Sequence, residues 1–471
     1  MSPNLPAQTV LTSVPGRLDR LPWGSFHWQV IAALGVTWIL DGLEVNLVGS
    51  VSSAIQHTLS LTGGQLGLTA TAYLIGVVAG ALFFGWIADR YGRKLMFFVV
   101  LSIYILGTLL SAAAWDFWSL CLFRMITGIG IGGEYSAINS TIQELIPARA
   151  RGRVTIAING SYWIGTALGA LGSMVILHPA VFGPDTGWRA GFFIGAILSV
   201  FILFMRLWIP ESPRWLVSRG RSDKAEAIVQ DIERKMISRG ALLASYAGVE
   251  VAVRVRKSTP LREVFQILLV THRQRSALCL CLMSAQAFMY NAIFFTYALM
   301  LGQFYGIAPH RIGLYLLPFA AACFMGPLLL GHLFDKYGRR TMISLTYLVA
   351  GVLLVLTGWL FLQQLLNVTT QTLMWVVIFF FGATAGPSAY LTISEIFPTE
   401  IRAFAIAIFV AVGTGVGGAA APWIFGLLIG SGQRVNVFWG YLLAGGLMAA
   451  AGVIAALWGV AAERKMLEDI A

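Results

Sequence analysis

Apolar runs long enough to cross a bilayer, about 20 residues or more each, recur from the twenties to the 450s of this chain, with short polar segments between them. The runs are continuously apolar rather than alternating, which selects helices over the strands of a barrel. They predict spans near 26–54, 67–88, 96–114, 117–145, 153–177 and 188–208, and then, beyond a polar interval, near 273–304, 311–334, 341–363, 372–398, 402–429 and 435–461. The expected fold is all-α, with twelve transmembrane helices in two six-helix bundles. Residues 1–25 form a tail, 26–208 the first bundle, 209–272 an intervening loop, 273–461 the second bundle and 462–471 a second tail.

Composition agrees. Hydrophobic residues make up 58% of the chain and charged residues 11%, with a mean hydropathy of +0.77, whereas a soluble domain carries about 25% charged residues. The formal charge of +11 would suit nucleic acid, but the basic residues sit in short loops between apolar runs, and no nucleic-acid partner is expected. One side of the predicted bilayer holds Arg17, Arg20, Arg90, Arg93, Lys94, Arg149, Arg151, Arg153, the whole 209–272 interval, Lys336, Arg339, Arg340, Arg402, Arg464 and Lys465. The other holds Arg189, Arg311 and Arg434. Positive residues stay inside, so both termini and the central loop are expected in the cytoplasm, around a multi-pass protein of the plasma (inner) membrane that works as a monomer. Residues 1–22 contain Pro3, Pro6 and Pro15 and no apolar core, so the first span is expected to direct insertion without a cleaved signal. Cys121, Cys279, Cys281 and Cys323 lie inside apolar runs and read as core residues, not as a disulfide or zinc set.

The central interval has room for short amphipathic helices. Ser222 is placed to cap a helix through Arg239 that gathers Ala225, Ile228, Ile232 and Met236 on one face, and Thr259-Pro260 to open another. No Gly-x-x-x-x-Gly-Lys-(Ser/Thr) loop occurs, which argues against an ATP-driven pump. No enzyme activity, cofactor or metal is expected.

Two motifs occur twice. Gly85-Trp86-Ile87-Ala88-Asp89-Arg90-Tyr91-Gly92-Arg93-Lys94 returns as Gly331-His332-Leu333-Phe334-Asp335-Lys336-Tyr337-Gly338-Arg339-Arg340, 246 residues later. Glu144-Leu145-Ile146-Pro147 with Arg151, at the end of span four, returns as Glu395-Ile396-Phe397-Pro398 with Arg402 at the end of span ten, 251 residues later. The chain is a duplicated object. On these motifs it resembles the major facilitator superfamily over essentially its whole length. Pro210-Glu211-Ser212-Pro213-Arg214 after span six, and Arg124-x-x-x-Gly128-x-Gly130-x-Gly132, resemble its sugar-porter and organic-ion branches. Span seven keeps Gln286 and Asn291 of the sugar porters' Gln-Gln-x-x-Gly-x-Asn but has Ala285, Met289 and Phe295-Thr296 where that pattern has Gln, Gly and a double Tyr. Asp41-Gly42-Leu43-Glu44 resembles the Asp-Gly-x-Asp of the aromatic-acid/proton symporters and of niacin and synaptic-vesicle-protein-like carriers.

Charges inside spans cost roughly 2.5–3.5 kcal/mol each on insertion scales and call for a partner or a task. Asp41 and Glu44 share one face of span one, and span four offers Arg124 and Glu134. Glu44 lies about 24 Å along span one and Arg124 about 10 Å below the opposite surface, at 1.5 Å per residue, so the two can meet. By resemblance to proton-coupled sugar porters they form the coupling pair, and protonation of Glu44 would release Arg124. A purely structural ion pair is the plainer alternative. Asp41 is a second proton or substrate candidate. Glu134 is either a polar staple in a glycine-rich helix or a counter-ion for a cationic substrate. Trp163, Gln286, Tyr290, Asn291, Tyr390 and Trp423 are candidate substrate contacts, as amides and aromatic walls suit a small-ligand cavity; ordinary packing is the usual role of any one aromatic, and the amides, which must find partners at lipid depth, are the firmer candidates. Asp89, Arg93, Glu144 and Arg151, with their echoes Asp335, Arg339, Glu395 and Arg402, stand where helix ends meet the cytoplasm and are expected to form gates.

The reading that results is a secondary transporter working by alternating access. Its expected partners are the bilayer, protons and a small organic ion, an aromatic or related monocarboxylate such as nicotinate or a hydroxybenzoate. A sugar or polyol porter, an organic-cation carrier and a non-transporting sensor are the alternatives.

Overall fold

Lipid offers no hydrogen-bond partners, so each apolar run must satisfy its own backbone, and a helix does so within one segment. In the computed structural model, which describes residues 9–240, 243, 251–254, 266–397 and 402–459, the runs are helices throughout. A short strand β1 (Thr9–Thr12) and helix α1 (Val14–Arg20) precede six long helices: α2 (Ser25–Thr58), α3 (Gly63–Tyr91), α4 (Arg93–Ala112), α5 (Phe117–Leu145), α6 (Ala148–Ile176) and α7 (Gly183–Arg206). The central interval contributes α8 (Pro213–Ser218), α9 (Ser222–Ser238) and strand β2 (Val251–Arg254). The second half follows as α10 (Arg273–Phe294), α11 (Tyr297–Tyr305), α12 (Ile312–Tyr337), α13 (Arg339–Leu362), α14 (Val368–Ile396), α15 (Arg402–Gly413), α16 (Ala420–Gly430) and α17 (Arg434–Trp458). Among the described residues ten segments are long and apolar enough to cross a membrane. The 29-residue α5, with Arg124 and Glu134 in its span, and α6, with a basic start, bring the spans to the twelve expected.

Two spans expected to be continuous are broken. Span seven divides into α10 and α11 at Phe295-Thr296. Span eleven holds a π-helical turn at Thr414–Gly418, in a glycine-rich stretch that resists regular helix. Ser222 proves to be the first residue of α9 rather than its cap, and Val229 replaces Ile228 on the fully buried face with Ala225, Ile232 and Met236. The helix expected to open at Thr259-Pro260 lies outside the described residues.

The duplication reaches into the local chemistry. Asp116 accepts the Ser119 amide at 2.8 Å to start α5, and Asn367 accepts the Thr370 amide at 2.9 Å to start α14, each closing a capping box on a 29-residue helix. Arg189 donates to the Ala112 and Ala114 carbonyls at the end of α4, at 2.9 and 2.6 Å, and Arg434 donates to the Phe361 carbonyl at the end of α13, at 3.1 Å. These two cations, on the side expected to be poor in positive charge, serve as helix C-caps. Gly92 and Gly338 carry φ of +109° and +91°, a region open to glycine and strained for other residues, so the repeated motif keeps its glycine for the turn between helices.

At one end of the molecule the halves meet backbone to backbone. A Cβ on Gly63 would stand 2.4 Å from the Gly426 carbonyl oxygen, and one on Gly313 2.2 Å from that of Ala170. Ser50 and Tyr297 share a hydrogen bond of 2.7 Å between the halves.

At the basic end, α1, α8 and α9 enclose a separate apolar cluster of Val14, Leu18, Leu21, Trp215, Leu216, Val229, Ile232 and Met236, and β1 pairs antiparallel with β2. Arg17 pairs with Glu226 and Glu233, Arg20 reaches Glu233 at 2.7 Å, and Arg214 reaches Asp19 at 2.9 Å. Burial works to raise the Glu233 carboxyl, but its bonds to Arg17 and Arg20 outweigh this and hold it below its ordinary value. A depressed carboxylate contributes stability above its unfolded pKa and loses it as pH falls through the folded one. Glu233→Gln should therefore lower the melting temperature at pH 7, by a change on the order of 1 kcal/mol. The gap to the native protein should close as pH falls below the carboxylate range in detergent melts.

Candidate functional site

The first bundle converges on one ion pair. Glu44 of α2 and Arg124 of α5 meet at 2.8 Å, Nη1 to Oε1, with side chains 1% and 2% exposed. Small residues bring the surrounding helices this close. A Cβ on Gly128 would come within 2.0 Å of the Tyr73 carbonyl oxygen, and one on Gly107 within 2.5 Å of the Thr127 nitrogen, so α3 and α4 both lie against α5 beside Arg124. Tyr73 consequently sets its ring over the guanidinium, 4.6 Å from centroid to Cζ, and Phe192 of α7 faces it at 5.4 Å. Thr108 of α4 donates to Glu44 Oε1 at 3.4 Å. Tyr73, Thr108 and Phe192 were not singled out in the sequence. A lone Tyr or Thr in an apolar span is a faint signal, and Phe192 offers none.

The pair is under-satisfied. Arg124 Nε and Nη2 and Glu44 Oε2 have no hydrogen-bond partner, in surroundings where a guanidinium presents five donors. Its position in the duplicated helix α14 is held by Trp375, which donates to the Tyr441 hydroxyl at 2.7 Å. The halves share a frame, and only the first carries charge at this place.

The other expected residues scatter. Asp41 and Glu134 are both fully buried in the first bundle, on α2 and α5. Trp163 of α6 meets Tyr290 of α10 edge to face at 6.4 Å, and Tyr290 stacks on Phe294 at 4.8 Å, so an aromatic group bridges the halves. Half-buried Gln286 faces α14, where a Cβ on Gly386 would stand 3.2 Å from its amide nitrogen. Asn291 is turned away from it: its amide donates to the Ala287 carbonyl at 2.8 Å and packs on Gly418 of the π turn. Trp423 is 41% exposed, in line with Leu427 on the outer side of α16, and joins none of the aromatic contacts above. The Tyr390 side chain lies outside the described residues.

Of the expected gate residues, Glu144 and Arg339 are half-buried at the basic end, and the side chains of Asp89, Arg93, Arg151, Asp335, Glu395 and Arg402 lie outside the described residues. Glu211 is a residue the gate reading missed. It accepts the Lys94 amide at 3.4 Å and stands against Gly92, joining the Pro-Glu-Ser-Pro-Arg motif to the repeated loop motif.

A family profile described as "Sugar (and other) transporter" matches residues 29–471. The chain belongs to that family, within the major facilitator superfamily. It is a multi-pass integral membrane protein and a transporter of a small molecule, not an enzyme. It is 29% identical to the niacin transporter NiaP of Acinetobacter baylyi, over 96% of this chain and 98% of that one. It is 25% identical to the 4-hydroxybenzoate transporter PcaK of Pseudomonas aeruginosa, over 92% of each. Its fold superposes on the crystal structure of a D-xylose–proton symporter with a TM-score of 0.72, at 19% identity, covering 94% of this chain and 100% of that one.

Within the transporter the pair's energetics are lopsided. Removing one partner of a buried ion pair costs about 3–5 kcal/mol, while replacing both with neutral groups is often close to neutral. Arg124→Met should therefore lower the detergent melting temperature sharply, and Glu44→Gln/Arg124→Met should recover most of the loss.

Proposed function

We propose that the protein moves a small organic anion, an aromatic or related monocarboxylate such as nicotinate or a hydroxybenzoate, together with protons by alternating access. The buried Glu44–Arg124 pair carries this reading. A proton on Glu44 removes the charge that balances Arg124. It leaves a guanidinium with unpartnered N–H groups in a site of low dielectric, where an isolated charge is costly. A carboxylate restores the balance and suits a bidentate fork, so proton and anion favour each other's presence. The aromatic group of Trp163, Tyr290 and Phe294 supports a planar cargo between the halves, and the names of the niacin and hydroxybenzoate relatives agree with it. Gln286, facing α14, favours a sugar or polyol as the second reading, since an amide reads hydroxyls.

The basic loops and the central interval are assigned to the cytoplasm, with the two bundles at 26–208 and 273–461 rocking about a midplane site. Two girdles of exposed tryptophans support that bilayer position: Trp23, Trp28, Trp208 and Trp458 at the basic end, and Trp115, Trp118, Trp359 and Trp439 at the other. The gate consists of Asp89, Arg93, Glu144 and Arg151 with their echoes, and Glu211 braces it.

In reconstituted, folded protein Glu44→Gln should abolish accumulation driven by a pH gradient and spare exchange; accumulation that persists would overturn the coupling role. A thermal-shift screen should find stabilisation by aromatic acids, and stabilisation by sugars alone would favour the second reading. Asp89→Asn should weaken the gate and raise the labelling rate of a cysteine placed in the vestibule at the basic end. An unchanged rate would count against it.

A further inference from the structure

On the face of α2 that meets the second half, one buried acceptor is left over. Asn46 is fully buried, and its amide nitrogen spends both hydrogens inside the first bundle, donating to the Gly42 carbonyl at 2.5 Å and to the Thr166 hydroxyl at 2.7 Å. Its Oδ1 has no hydrogen-bond partner. We propose that Asn46 Oδ1 is a specificity-determining acceptor of the cargo site and reads a hydroxyl on the cargo.

The amide cannot turn over. The Gly42 carbonyl only accepts, and Thr166 spends its own proton on the Tyr162 carbonyl at 3.2 Å. Both neighbours therefore take hydrogens from Nδ2, and the oxygen points away from them. Close backbones keep it so: a Cβ on Gly42 would stand 2.0 Å from the Tyr162 carbonyl oxygen, and one on Gly165 1.8 Å from that of Ile39, which locks α2 to α6. The placement suits the task as well. Asn46, Gly49, Ser50 and Ser53 follow one another at helical spacing along one face of α2. On that face a Cβ on Gly49 would stand 2.8 Å from the Phe294 carbonyl oxygen, and Ser50 bonds Tyr297 at 2.7 Å, so Asn46 lies one turn inward of a contact between the halves. The Tyr162 hydroxyl lies beside both Asn46 and Tyr290 of the second half. Trp163 meets both tyrosine rings, at 5.2 and 6.4 Å. The spare oxygen thus shares its surroundings with the aromatic group assigned above to the cargo. A buried acceptor without a donor costs stability, which a cargo hydroxyl recovers and a cargo without a donor does not. A pyridine nitrogen or an ether oxygen would set one lone pair against another. Resting on the aromatic-acid reading above, the inference narrows it: the acceptor selects a hydroxybenzoate over nicotinate.

Calorimetry on the native protein with a series of probes is the first test. 3- and 4-Hydroxybenzoate should bind about tenfold or more tightly than benzoate, nicotinate and 4-methoxybenzoate. In Asn46→Leu that preference should collapse toward parity while benzoate binding is kept. Thr166→Val, which frees the amide to turn, should reduce the preference in the same direction. Xylose bound by the native protein and lost in Asn46→Leu would support the acceptor and overturn the aromatic cargo, which separates the two readings. Equal binding of hydroxylated and unhydroxylated acids by the native protein, no binding of any hydroxylated probe, or a preference that survives Asn46→Leu would each overturn the proposal. Should Asn46→Leu not fold, the native series and Thr166→Val decide it.

Discussion

A carboxylate and a guanidinium held out of water at 2.8 Å organise the first bundle. Desolvating each ion costs several kcal/mol, and only close approach with good geometry offsets it. That demand explains the small residues around the pair. Glycines at 107 and 128 let α4 and α3 press against α5, which supplies Thr108 to the carboxylate and the face of Tyr73 to the cation. Two guanidinium nitrogens are still left without partners.

The duplicated frame and this unduplicated charge divide the labour. Capping boxes at 116 and 367, arginine caps at 189 and 434, and left-handed glycines at 92 and 338 recur in both halves. They set helix lengths, ends and turns, the features the two halves share. The centre differs: Arg124 in one half answers to Trp375 in the other, bonded to Tyr441. The second half contributes aromatic and amide surface, and its two broken spans, at Phe295-Thr296 and Thr414–Gly418, are where its helices depart from straight rods.

Much of this was legible in the chain. Long apolar runs must be helices in lipid, so the number and order of spans followed from hydropathy, and their ends fell within a few residues of the observed ones. Glu44 and Arg124 stood out because charges are rare at that depth, and their axial positions already allowed a meeting. Ile228 and Val229 on α9 exchanged roles because neighbouring residues on a helix differ by only 100° in direction, and the partner surface chooses between them. The same limit applied to Asn291, whose amide had a closer acceptor in its own helix.

The sequence by itself determined the membrane class, the helical fold, the internal duplication and the charged residues that stand inside the spans, because each follows from local composition and spacing. Tertiary structure decided which of those residues meet. It closed Glu44 on Arg124, laid Tyr73 and Phe192 over the cation, and set Trp163 against Tyr290. Such contacts depend on how helices cross and turn about their axes. That is fixed by packing between distant segments, which no stretch of sequence read alone contains.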